Sequence, residues 1–320
     1  MARRGPTIAE TVLDLIRERG PQSLDALVPQ IVAAGRTQAK DPRRAVGAAI
    51  DAHPGFVQAW DGRWCSLVDQ LDGAIFTTSM TGLERQDEIV LLRDHLALVE
   101  RLALRPRPFA GGGEVHLDYF GDFFDLPWPD DDLEGSDMRE VLGAKLVDDL
   151  LDFLVEGGLP ADEDEDEVLR DLLWEMRFTR ILHGPPGWLP RLGTRQLLGI
   201  RVRSGAIETV ALGRSDVTGP HVGLAGSRVA RLARMVIGPD ASWFGPPVIS
   251  LEELLELVAT EAPELLRRPL PPFGEVVARG GLEVRDGFVA HRGMDWEAWE
   301  RSITLDPGEA WGFQPSRIVH

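Results

Sequence analysis

Apolar positions recur at helical spacing through the first fifth of the chain. Ile8, Val12, Leu15 and Ile16 fall on one helical face, and Gly20-Pro21 stops that helix. Ser23 can cap a second helix whose apolar stripe is Leu24, Leu27, Val28, Ile31 and Val32, ended by Gly35. Asp41-Pro42 opens a third, because proline suits the first helical position. Its inward residues would be Val46, Ala49 and Ile50, with Arg43, Arg44 and Gly47 outward. After His53-Pro54-Gly55 the period changes. Phe56 to Trp60, Asp61-Gly62, and Arg63 to Leu67 read as strand, tight turn and strand, Asp-Gly being a strong hairpin signal.

Three helices followed by a hairpin is the winged-helix order. The stretch 7–68 resembles the HARE-HTH family, to which the N-terminal domain of the RNA polymerase δ subunit belongs. The resemblance rests on Pro21-x-Ser23-Leu24-x-x-Leu27, Gly35, the helix start Asp41-Pro42, and Phe56…Asp61-Gly62-Arg63-Trp64…Leu67. It covers about 60 of 320 residues. It implies contact with double-stranded DNA or with the transcription machinery. Arg36, Lys40, Arg43, Arg44, Gly47 and Arg63 would form the DNA-facing set, with phosphate contacts supplied by the cations. The third helix is less basic than a DNA reader's usually is, which leaves a purely protein-docking module as the competing reading.

The remainder is mixed. Ala74 to Thr78 is strand-like, Leu91 to Leu104 fits strand or helix, and Arg105-Pro106-Arg107-Pro108 with Gly111-Gly112-Gly113 marks a boundary. Glu114 to Phe120 alternates as a strand. Ser136 can cap a helix to Glu156, and a second acidic helix runs from Val168 to Ile181. Leu197–Arg203 and Ala206–Leu212 form a hairpin candidate, and Ser227–Val236 a helix. Near the C-terminus Ser250-Leu251-Glu252-Glu253-Leu254 echoes Ser23-Leu24-Asp25-Ala26-Leu27. Likewise Arg285-Asp286-Gly287-Phe288-Val289 echoes Trp60-Asp61-Gly62-Arg63-Trp64. The expectation is therefore an α+β, multi-domain chain. A winged helix-turn-helix spans 1–70, a connector with a strand 71–113, and an acidic α-rich region 114–185. A small β-rich region with a helix follows at 186–247, and a degenerate second winged helix with a tail at 248–320.

Charge sharpens this picture. The net charge is −18, and residues 114–177 alone hold 22 acidic and 4 basic side chains, so the rest is neutral. One acidic lobe beside a slightly basic N-terminal unit points to a basic protein partner, or to internal competition for the cationic face. Arg228, Arg231 and Arg234, three apart, offer a second basic face. No apolar run is long enough to span a membrane and none looks like a secretory leader, so a cytoplasmic location is expected. Cys65 is the single cysteine, which excludes an internal disulfide and a cysteine-built zinc site. No cofactor is expected and no catalytic residue is assigned. On a strand Glu114, His116 and Asp118 share one face, and with Asp122 and Asp125 they are the best candidates for metal-dependent chemistry. His116, Asp118 and Asp122 would be its ligands, and a metal-dependent enzyme centred on His116 and Asp118 is a further alternative.

Overall fold

The computed structural model describes residues 6–126, 176–237 and 247–305. The expected acidic helices at 136–156 and from 168, and the loop Asp130–Asp132, lie wholly or largely outside these residues. The fold is α+β with antiparallel sheets.

The N-terminal unit consists of α1 (Ile8–Arg19), α2 (Leu24–Ala33), α3 (Pro42–Asp51) and the hairpin β1 (Phe56–Gln58) and β2 (Trp64–Ser66). Each helix start is specified by a side chain. Thr7 and Glu10 close a capping box, the Ser23 hydroxyl accepts from the Ala26 amide at 3.3 Å, and Asp41 accepts from the Arg44 amide at 3.0 Å. The helices bury Ala9, Val12, Ile16, Leu27, Ile31, Val46 and Ile50 around Phe56. Each large aliphatic among them contributes about 1.5–3 kcal/mol by leaving water. Val32, expected in the apolar stripe of α2, is 44% exposed because it falls on the far side of the helix from Leu27 and Ile31.

The expected connector contributes three strands and several helical turns. After α4 (Leu67–Gln70), the strand β3 (Ile75–Thr78) enters a sheet of order β3-β8-β9 with β8 (Leu197–Arg203) and β9 (Ala206–Leu212). Past α5 (Gly82–Gln86), β4 (Ile89–Leu91) joins a second sheet, β4-β7-β6-β5. Its other strands are β5 (Arg107–Pro108), β6 (Glu114–Tyr119) and β7 (Arg180–His183). The ambiguous stretch 91–104 is the end of β4, a 3₁₀ turn at Asp94–Leu96 and α6 (Ala97–Ala103). β6 leads into α7 (Phe120–Phe123). Ile181, expected to end an acidic helix, lies in β7, where its fully buried side chain pairs opposite Asp118.

The C-terminal unit begins with α8 (Pro220–Val236), which starts seven residues before the expected Ser227 because Pro220 occupies its first turn. Then come β10 (Val248–Ser250), α9 (Leu251–Glu261), α10 (Phe273–Arg279), the hairpin β11 (Leu282–Arg285) and β12 (Phe288–His291), and finally α11 (Trp296–Leu305). Ser250 and Glu253 form a capping box at the start of α9. α8 crosses α10 with glycine against glycine, so a Cβ on Gly280 would overlap the Gly226 carbonyl oxygen. The sheet order β10-β12-β11 has a counterpart in the N-terminal unit, where Gln22, just before the capping Ser23, bridges to Trp64 of β2. The equivalent pair is Ile249, just before Ser250, opposite Val289. A single apolar core extends from Val57 through both middle sheets to Val289, distinct from the cluster inside α1–α3.

Candidate functional sites

The cationic set gathers around the start of α3, but its members differ in freedom. Arg36 and Lys40 lie exposed on the loop before α3, and Arg44 is exposed on its first turn. Among the described residues these three make no ion pair. Arg43 pairs with Asp25 of α2, both well exposed. Gly47 is half-buried, and a Cβ there would stand 3.7 Å from Leu24, so this position faces α2. Arg63 folds back on its own turn, its Nε 2.5 Å from Asp61 Oδ2. The backbone amide and guanidinium of Arg63 hold the Asp61 carboxyl below its ordinary range.

The hairpin does not project freely. The Trp60 amide donates to Glu261 of α9 at 2.9 Å, while the Trp60 ring stays 56% exposed. Arg101 of α6 donates to the carbonyls of Pro54 and Phe56 and pairs with Glu256 of α9. Burial pushes the Glu256 carboxyl up, and the Arg101 charge opposes that. One guanidinium thus joins the N-terminal unit to the body.

The second basic face is real as a stripe. Arg228, Arg231 and Arg234 are exposed on α8, beside Leu224 and Met235, which are also exposed. Arg228 lies 2.5 Å from Glu264. A half-exposed pair of this kind adds at most about 1 kcal/mol.

On β6, His116 and Asp118 share a face as the alternation requires, and Glu114, Asp122 and Asp125 are exposed nearby. Pairing with β7 adds a residue that sequence reasoning missed. His183 sits directly opposite His116, their rings stacked at 5.6 Å with planes 23° apart. His183 Nε2 is 3.7 Å from Asp118 Oδ2, whose other oxygen accepts the Tyr119 amide at 2.9 Å. Phe123 packs on the His183 ring at 5.3 Å. Burial lowers the His183 pKa, Asp118 opposes that shift, and His116 adds to it. Among the described residues, no three His, Cys, Asp or Glu side chains converge closely enough to hold a metal ion as they stand. Cys65 is buried in β2, and burial raises its thiol pKa, the opposite of what a nucleophile needs. Among the described residues, no helix is long and apolar enough to cross a membrane.

Compared with protein-family models, curated proteins and solved structures, the chain matches none.

Proposed function

We propose that the chain is a DNA-binding or transcription-associated regulatory protein. In this reading its N-terminal unit is a winged helix and its C-terminal unit a second, diverged one. The observation that carries it is the set of exposed cations Arg36, Lys40 and Arg44 around the start of α3, which make no ion pair among the described residues, on a three-helix unit with its own core. A duplex would be met by the first turn of α3, with phosphates on these three side chains. The shared order of helices and strands in the two units supports a tandem arrangement. The acidic lobe would dock a basic partner or restrain DNA binding by competing for the same cations.

Three phosphate contacts give a slope of about −3 in log affinity against log salt. Fluorescence anisotropy of a labelled duplex with the full chain, titrated across salt, checks this. Arg44→Ala should lower the slope by about one. Replacing the run Asp162–Glu167 by Asn and Gln should tighten binding if the lobe competes. Deleting 114–177 would be a poor test, because β6 is an inner strand of its sheet. A second reading, a protein-docking adaptor without nucleic-acid contact, is favoured by the Trp60–Glu261 bond and by the Arg43–Asp25 pair, which occupy hairpin and helix alike. No anisotropy change even at low salt would leave the adaptor reading standing.

A further inference from the structure

Helix α8 buries one side, with Val222, Ala225, Val229, Ala230 and Ala233 against the body. Its other side is a stripe that the fold does not use. Leu224, Arg228, Arg231 and Met235 follow one another by four, three and four residues, so they line up along one edge of the helix. At 1.5 Å per residue that line is about 16 Å long. Leu224 is 68% exposed and Met235 45%. Arg234, next to Met235, is exposed as well. Arg228 is engaged by Glu264, whereas Arg231 and Arg234 make no ion pair among the described residues. A face with apolar side chains at its ends and arginines between them suits an acidic segment that also carries apolar side chains. A phosphate backbone alone would leave Leu224 and Met235 in water.

The chain itself supplies such a segment. Residues 127–175, which join Leu126 to Met176 and lie outside the described residues, hold 18 acidic and 3 basic side chains. In their sequence Leu142, Leu146, Leu150 and Leu154 recur every four residues, interleaved with Asp148, Asp149 and Asp152. Tied to the body at both ends, the segment meets α8 at an effective concentration of about millimolar, which favours it over a free acidic protein. We propose that α8 is the docking face for this chain's own acidic segment 127–175, with Leu224 and Met235 as apolar anchors and Arg231 and Arg234 as counter-charges. The proposal rests on the reading of the acidic lobe as a docking element and uses nothing on α3. Its failure therefore leaves duplex binding intact, and failure of duplex binding leaves it untouched.

The test uses the full chain carrying the photoreactive residue benzoylphenylalanine at position 224 or, in a second protein, at 235. Illumination in dilute solution should give a cross-link within one chain, which peptide mass spectrometry should place in 127–175. The same probe at exposed Val32 of α2 should not reach that segment. Arg231→Glu with Arg234→Glu should lower the cross-link yield about tenfold, and the corresponding pair of Lys substitutions should keep it. Both positions are exposed, so neither pair disturbs the core. Salt at about 1 M, which cuts the screening length to about 3 Å, should lower the yield too. Absence of a cross-link at both positions overturns the proposal. So does a cross-link between two chains, which makes the face an interface between copies, or a cross-link to any other part of the chain. A yield that the two Glu substitutions leave unchanged also overturns it, because the arginines then contribute nothing.

Discussion

His95 shows what a single buried imidazole does to this fold. It follows Asp94 in the 3₁₀ turn before α6, its Nε2 is buried without a hydrogen-bond partner, and burial, helped by the Arg93 charge, pulls its pKa from 6.5 to about 4. A histidine whose folded pKa is depressed contributes stability that is complete above its unfolded pKa and is lost as pH falls toward the folded one. Denaturant melts between pH 7 and 4.5 should therefore show a loss of about 2–3 kcal/mol that His95→Leu removes. Parallel pH profiles for the two proteins would rule this out. Residues differ in how far the sequence betrays them. The caps Ser23, Asp41 and Ser250 were readable because each needs only partners three residues away. His183 was not, because its significance arises from a partner in β6, 67 residues earlier, and no local pattern encodes that register.

Between elements, α8 and α10 cross with glycine backbone against backbone. A Cβ on Gly226 would meet the Val276 carbonyl oxygen at 2.9 Å and the Gly280 amide nitrogen at 3.0 Å, backbone atoms that cannot turn aside. Gly226→Ala should cost about 3 kcal/mol or more by forcing the helices apart. Gly223→Ala, three residues earlier on the same helix with nothing within 4 Å of its Cβ position, should be neutral or stabilising by up to about 1 kcal/mol. Thermal melts of the two variants check both signs. The helical units were legible because their periods are long and their stops explicit. β3 was legible as the strand-like run Ala74 to Thr78, but β4 and β5 were not, being three residues or fewer, with β4 completed only by a remote partner, so the rest of that stretch read as a connector. The early start of α8 had a signal in Pro220, which occupies its first turn.

At the scale of the whole molecule, Arg101 is the joint between two cores. Removing it leaves the Pro54 and Phe56 carbonyls without their donor and Glu256 without its cation, in a largely buried place. Arg101→Ala should destabilise the protein by about 2–3 kcal/mol. In hydrogen exchange, amides of α1–α3 should open at lower free energy while those of β8 change less. Equal losses in both regions would show that the joint is not where the units part. The middle sheets carry a different consequence, for synthesis on the ribosome. Ile75 pairs with Arg201, which is translated 126 residues later. At roughly 5–20 residues per second, β3 waits about 6–25 s for its partner. The N-terminal helices can close over their own core at once, but two apolar strands behind them emerge long before anything covers them. Slower synthesis prolongs that interval, so folded yield should depend on a holding chaperone more than the protein's final stability would suggest.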